Sequence, residues 1–313
     1  MKPFLLSIII PVYNEEGNIL PLLERLLPIV KTLSYEIVFV EDGSKDRTFD
    51  IIKKEALHNP HIKLVSFLRN FGHQMALTAG YAHAKGDCVI SMDADLQDPP
   101  EIILEMINKW QKGSKIVYAK RKERDVDSAF KKTTASLFYR FINFLSETPI
   151  PQEVGDFRLL DKEVVDFLNS LPEHSRFLRG LVAWGGFHAE YVYYNREKRF
   201  AGETHYPFSK MLNFALDGIT TFSTKPLRIA SYFGFVSATV GFLGILYALI
   251  GKIFQPTFFP HDWVTGWTGL FVGIMFMGGV QLITIGIIGE YISKIYKEVQ
   301  SRPKYLIQEK INL

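Results

Sequence analysis

The sequence predicts an α/β fold: a doubly wound, mostly parallel sheet, with two transmembrane helices near the carboxyl end. Three observations predict it. Short apolar runs alternate with helical patterns through the first half of the chain. Nearly all of the charge-free length lies beyond residue 229. Carboxylates recur directly after the apolar runs, where an α/β sheet gathers its ligands.

The predicted strands are residues 6–12, 36–40, 63–67, 87–92 and 115–118. They are rich in Ile and Val and do not alternate apolar with polar. That is the pattern of strands covered on both faces. Between them, residues 18–31, 48–57, 72–84 and 100–111 place apolar side chains at three- and four-residue spacing, as amphipathic helices do. Strand and helix in repetition imply right-handed crossovers.

After residue 120 the pattern changes. Residues 128–145 read as an amphipathic helix, with Phe138, Phe141, Ile142 and Leu145 on one stripe and Lys131, Lys132 and Arg140 elsewhere. Such a helix packs on the sheet or lies on a membrane surface. Residues 207–222 are similar. Residues 229–251 and 263–289 then run without a charged side chain, each longer than the roughly 20 residues that cross a bilayer as a helix. Lys225 and Arg228 precede the first span, and Lys294, Lys297, Arg302 and Lys304 follow the second. The positive-inside rule therefore places both chain ends in the cytoplasm, with a short external hairpin. The expected division is a cytoplasmic domain over 1–205, a juxtamembrane amphipathic helix over 206–228, the two spans over 229–289 and a cytoplasmic tail over 290–313.

Composition excludes several classes. With 36 basic and 33 acidic residues, the net charge of +3 gives no polyelectrolyte signal for nucleic acid. The single cysteine, Cys88, allows neither an internal disulfide framework nor a cysteine-based zinc site, and it reads as a small core residue. The first ten residues run straight into a strand pattern, too short before Asn14-Glu15-Glu16 for a secretory signal, so the first 229 residues are expected to stay in the cytoplasm.

The strongest chemical signal is Met92-Asp93-Ala94-Asp95-Leu96-Gln97-Asp98-Pro99-Pro100. An apolar strand delivers two carboxylates two residues apart, and on extended chain both point the same way. Oxygen ligands without His or Cys suit Mg²⁺ or Mn²⁺, with Gln97 able to add a further oxygen. An ion left with open positions would bridge the phosphates of a nucleotide diphosphate and neutralise the leaving group. Two more strand ends agree: Pro11-Val12-Tyr13-Asn14-Glu15-Glu16 and Glu41-Asp42-Gly43-Ser44-Lys45-Asp46 offer carboxylates and flat or hydroxylated groups suited to a nucleobase and ribose. Each alone reads as a helix entry or a turn.

Together these motifs resemble the nucleotide-sugar half of inverting family 2 glycosyltransferases with the GT-A fold. Arg69-Asn70-Phe71-Gly72, Gly155-Asp156-Phe157-Arg158-Leu159 and Phe177-Leu178-Arg179-Gly180, with the two spans, narrow the likeness. The chain is similar over nearly its whole length to the polyprenyl-phosphate glycosyltransferases: the bactoprenol glucosyltransferases and, more distantly, the dolichol-phosphate mannose synthases. The resemblance implies that Pro11, Tyr13, Glu15 and Asp42 hold the nucleoside, and that Asp93, Asp95 and Gln97 hold the metal. It implies Asp95 and Asp156 at the reaction centre, Arg121, Lys132 and Ser136 on the lipid phosphate, and Arg199 facing the pyrophosphate. It also implies a UDP-sugar donor, an undecaprenyl phosphate acceptor, a plasma-membrane location and a homo-oligomer. His73 and His205 stand where relatives usually carry Lys, so charge at those points depends on pH.

The acceptor has its own physical logic. A phosphate monoester is already ionised at neutral pH, so its attack needs cations to position it and no strong general base. Two rival classes are weaker. A processive polysaccharide synthase of the same fold carries a Gln-x-x-Arg-Trp motif, which the sequence lacks. A lipid-linked sugar flippase or a scaffold would leave the metal motif idle, and spans without charge make a poor transport path.

Overall fold

A computed structural model describes residues 3–122, 154–174, 176–195, 223–253 and 267–313. At its centre β1 (Leu5–Val12), β2 (Ser34–Glu41), β3 (Ile62–Phe67) and β4 (Cys88–Ser91) run parallel over the expected apolar runs. Both faces of β1 are covered, which is why its sequence does not alternate. Leu6, Ile8 and Ile10 pack with Leu22, Leu23 and Leu26 of α1 (Ile19–Val30). Ile9 faces the other way, onto Ala76 and Leu77 of α3 (His73–His83). At Gly80 an added Cβ would lie 2.2 Å from Ile9 Cγ2, so α3 packs directly on the Ile9 side chain there. α2 (Thr48–His58) follows β2, and a 3₁₀ turn at Pro100–Ile102 leads into α4 (Ile103–Gln111).

Beyond β5 (Ile116–Arg121) the sheet becomes mixed. β6 (Val154–Asp161) wedges antiparallel between β4 and β5, and β7 (Ala189–Tyr194) lies parallel to β5 at the edge. Between them sit α5 (Lys162–Ser170) and α6 (Leu178–Trp184). The order of the eight described strands is β7-β5-β6-β4-β1-β2-β3-β8. β6 is not among the sequence-predicted strands, because Asp156 and Arg158 interrupt its apolar run. Its reversal has a consequence for function. β6 begins where β1, β2, β4 and β5 end, so Asp156 joins their carboxyl-end residues on one edge of the sheet.

Two long helices follow, α7 (Lys225–Ile253) and α8 (Trp267–Gln300). Their segments Lys225–Gly244 and Gly273–Gln300 are long and apolar enough to cross a bilayer. Phe233, Leu243, Leu282 and Ile283 are exposed along them, apolar surface that water does not favour. Residues 290–313 extend α8 to Gln300 and return to the sheet as β8 (Ile307–Ile311), antiparallel to β3. The predicted helices at 128–145 and 207–222 lie outside the described residues.

Candidate active site

One side of the candidate site is built from the loops after β1 and β2, stitched by polar contacts. Asn14, in the left-handed region at φ 54°, donates its N–H to Ser44 Oγ at 3.0 Å, and its Oδ1 accepts from Lys45 N–H at 2.8 Å. Glu15 N–H donates to Thr48 Oγ1 at 2.8 Å, and the Glu15 carboxylate accepts from Asn18 Nδ2 at 2.5 Å. Pro11 is buried within β1 opposite Val40, while Tyr13 emerges at the edge, 39% exposed. Asp42 is buried, and its two oxygens accept the backbone N–H groups of Phe71 at 2.6 Å and Gly72 at 2.9 Å. Each carboxylate oxygen has a second acceptor position, so Asp42 both fixes the Arg69–Gly72 loop and keeps capacity for a ligand hydroxyl. Burial raises the Asp42 carboxyl above its usual range against those two hydrogen bonds.

The acidic side differs from the extended-chain expectation. β4 stops at Ser91, and Asp93 to Asp95 leave the sheet in a turn, with Leu96 at φ 58°. Strand alternation therefore does not orient these carboxylates; the turn does. Asp95 folds inward, 6% exposed, and its Oδ1 accepts from Gln97 N–H at 3.1 Å. The Asp93 side chain stays 43% exposed. Asp98, 3% exposed, accepts a hydrogen bond from Tyr194 Oη. Arg121 is held at the same place: its Nε donates to Tyr194 Oη at 3.1 Å, and Nη2 lies 3.9 Å from Asp98 Oδ1.

The fit to a divalent cation can be judged from this charge balance. With its side chain part-exposed, Asp93 is raised by its crowded surroundings, the charges of Asp156 and Asp95 acting against those of His73 and Arg179. Asp98 is pushed up to about 6, chiefly by burial, with Asp93 and Asp95 adding to it. His73 beside Asp93 and Arg121 beside Asp98 offset this crowding only in part, and a cation would add counter-charge. Among the described residues no three His, Cys, Asp or Glu side chains form a closed metal cage. One or two carboxylates with phosphates completing the shell is how Mg²⁺ is commonly held, so the donor set fits.

Asp156 has the opposite surroundings. Arg179 donates to both its oxygens, Arg158 Nη2 lies 3.5 Å from Oδ1, and His73 Nε2 lies 3.3 Å from Oδ2. Burial would raise this carboxyl, but Arg179, His73 and Arg158 hold it well below the usual range. Its backbone is fixed too, since Ser91 Oγ donates to the Asp156 carbonyl at 2.5 Å and Tyr81 Oη donates to Ser91 Oγ at 3.0 Å. His73 also approaches Asp93, at 3.8 Å, and so joins the acidic pair to Asp156.

A family model described as "Glycosyl transferase family 2" matches residues 7–168. The chain belongs to that family. Its relatives match end to end. A Bacillus subtilis (strain 168) protein named as the glycosyltransferase YkcC is 46% identical, over 97% of this chain and 93% of its own. A bactoprenol glucosyl transferase of a Shigella flexneri prophage is 44% identical, over 97% of each chain. A prophage bactoprenol glucosyl transferase homolog of Escherichia coli (strain K12) is 43% identical, over 97% of this chain and 98% of its own. A crystal structure of Mycobacterium tuberculosis glucosyl-3-phosphoglycerate synthase with Mn²⁺, UDP-glucose and phosphoglyceric acid overlaps at a TM-score of 0.47 and 16% identity, over 70% of this chain and 78% of that one.

As a family 2 glycosyltransferase the chain is an enzyme that transfers a sugar. Of the residues expected to act, Pro11, Tyr13, Glu15, Asp42, Asp93, Asp95, Gln97, Arg121 and Asp156 lie on one edge of the sheet. Lys132, Ser136 and Arg199 lie outside the described residues. Other side chains that the sequence did not assign lie beside them. Arg158 and Arg179 sit inside quoted motifs without a role, and Tyr194 and Asp98 anchor Arg121. The signal for Arg158 was available: a charged residue inside an apolar strand is paired when it is buried.

Proposed function

We propose that this enzyme transfers one sugar from a nucleotide diphosphate sugar, UDP-linked, to polyprenyl phosphate, with inversion, at the cytoplasmic face of a membrane. The observation that carries the reading is the pairing of Asp156. A carboxylate held by two guanidiniums and an imidazole is a poor proton acceptor, which suits an acceptor that has no proton to give. A phosphate dianion is such an acceptor.

In this reading one phosphate oxygen of the lipid attacks the anomeric carbon. The bond from that carbon to the donor's β-phosphate oxygen breaks, and the nucleoside diphosphate departs with the electron pair. Arg121 and Arg179 hold the acceptor phosphate near the sugar, and Asp156 fixes the direction of Arg179. Tyr13 and Asp42 hold the nucleoside, with Glu15 supporting the loop after β1. Asp93 and Asp95, with Gln97, would hold Mg²⁺ or Mn²⁺, which when bound neutralises charge on the diphosphate. Lys132, Ser136 and Arg199 are proposed to meet the two phosphate groups, as the resemblance implies.

The membrane reading draws on the sheet itself. The chain leaves the domain into α7 and comes back from α8 into β8, which pairs with β3. Two crossings return the chain to the side it left; a single crossing would not. The bactoprenol glucosyl transferase names of relatives at 44% identity support the lipid acceptor.

Incubation with radiolabelled UDP-sugars and short-chain polyprenyl phosphate, with and without EDTA, tests the proposal. The expected product is a lipid-linked monosaccharide formed only without EDTA. A long polymer would indicate a processive synthase, and no transfer to any lipid phosphate would sink the reading.

A further inference from the structure

Beyond Gln300 the chain runs back beneath the proposed nucleotide site. Ser301 takes φ 47°, and Leu306 accepts the N–H of Leu68 at 3.0 Å just before β8 begins. There the Tyr305 ring stacks on Phe67, with centroids 4.9 Å apart and planes 14° from parallel. Phe67, the last residue of β3, meets Phe71 edge-on at 5.7 Å and 87°. Phe71 and the following Gly72 are the two residues whose N–H groups bind the Asp42 carboxylate. The Arg69 guanidinium lies 4.0 Å above the Phe71 ring, and Gly43 is packed so closely on this loop that an added Cβ would fall 2.5 Å from the Arg69 carbonyl carbon. A continuous chain of contacts therefore runs from Tyr305 through Phe67 and Phe71 to Asp42.

We infer that Tyr305 is a positioning residue for the nucleotide: it props Phe67 and Phe71 so that the 69–72 loop holds Asp42 in its binding orientation. The inference rests on the proposed assignment of Asp42 to the nucleoside. Its physical content is that the segment leaving the second apolar helix completes the donor side of the site. Aromatic contacts of this kind carry about 0.5–1.5 kcal/mol each, which converts to a change in affinity of roughly two- to tenfold. Besides the β8 backbone pairing with β3, two side chains hold the tail away from these rings. Lys53 Nζ bonds Glu309 at 2.7 and 2.9 Å, and Asn312 Nδ2 donates to the carbonyls of Ala56 and Ile62 at 2.6 and 2.9 Å.

The test uses the full chain in detergent, with UDP and Mn²⁺ as the calorimetric probe and sugar transfer as the second readout. Tyr305→Leu is expected to weaken UDP binding roughly two- to tenfold and to raise the donor KM by the same factor, with kcat and the acceptor KM little changed. Tyr305→Phe, which keeps the ring, should match the unaltered protein. Glu309→Gln, which loosens the tail elsewhere, should also match it. Tyr305→His is the milder variant if Tyr305→Leu does not fold, and should give a smaller loss of the same kind. Unchanged UDP affinity in Tyr305→Leu overturns the inference while leaving the proposed function standing. An equal loss in Glu309→Gln overturns it as well, since general loosening would then suffice. Failure of the unaltered chain to bind UDP removes the proposed donor site, and the inference with it.

Discussion

Arg179 grips Asp156 with both arms of its guanidinium, Nε at 3.1 Å from Oδ1 and Nη2 at 2.9 Å from Oδ2. A fork-to-fork ion pair of this kind fixes direction as well as charge. The Arg179 side chain remains 33% exposed, so it is anchored by Asp156 and still reachable by a ligand. Replacing Asp156 with Asn keeps the shape and removes the charge that orients both arginines. Turnover should fall about a hundredfold or more, the scale seen when one electrostatic contact to a reacting group is lost. Initial rates on folded protein measure this, and near-normal turnover would remove Asp156 from its central place.

Asp93 and Asp95 share a crowded acidic corner, so their removal should be read in metal dependence. In the unaltered protein, UDP with Mn²⁺ should raise the melting midpoint and UDP with EDTA should not. Saturation at a hundred times Kd is worth about 2.7 kcal/mol. Asp93→Ala should abolish the metal-dependent part of the shift. A full shift in the doubly substituted Asp93→Ala, Asp95→Ala protein would place the cation elsewhere.

Tyr194 Oη lies between Arg121 and Asp98. Tyr194→Phe removes one hydroxyl and frees the guanidinium to swing. The acceptor KM should rise about three- to tenfold, the scale of one intramolecular hydrogen bond, while the donor KM stays as it was. Steady-state kinetics with each substrate varied in turn separate the two. A donor-only effect would contradict the assignment of Arg121 to the acceptor phosphate.

Gly43 takes φ 69° with the backbone of Arg69 against it. Gly43→Ala forces a methyl group into that contact from a backbone region that L residues disfavour. A loss of about 1–3 kcal/mol in stability is expected, with weaker nucleotide binding beside it. Thermal unfolding and UDP titration report the two effects.

At the opposite edge of the sheet Glu36 accepts from Ser7 Oγ at 2.5 Å and from Lys85 N–H at 2.7 Å, and it pairs with buried Lys63. Burial would raise the Glu36 carboxyl, but the Lys63, Lys85 and Ser7 hydrogen bonds bring it below its usual value of 4.5. A depressed carboxyl stabilises the folded state above its unfolded pKa and loses that contribution as the pH falls through the folded one. Glu36→Gln strands the Lys63 charge and should cost about 3–5 kcal/mol at neutral pH, with the gap to the unaltered protein closing as acid is added below pH 4.5. Melting curves across pH check both the size and the sign. Activity per folded molecule should not change, because the pair is remote from the ligand edge.

How far the sequence reached depends on what each residue's neighbours are. β1 to β5 and α1 to α4 were legible because burial on two faces leaves unbroken Ile and Val runs, and burial on one leaves a helical stripe. The two long helices were legible from the absence of charge alone. β6 was not, since Arg158 is paired only once the chain has folded, with Asp156 on its own strand and Tyr81 on α3. β8 was not, because a short strand at a sheet edge alternates Ile with Gln, Glu and Lys and carries little pattern.

The class of fold, the acidic motif after the fourth strand and the carboxylates, hydroxyls and cations near the strand ends can all be read from the order of residues. Those are local matters, set by periodicity and by which side chains follow a strand. Long-range packing sets the rest: β6 runs backwards, Asp156 is neutralised by Arg179, Arg158 and His73, and Tyr305 closes against Phe67. Those contacts join residues far apart in the chain. Their energy exists only when the sheet has brought both partners together, so no window of sequence contains it.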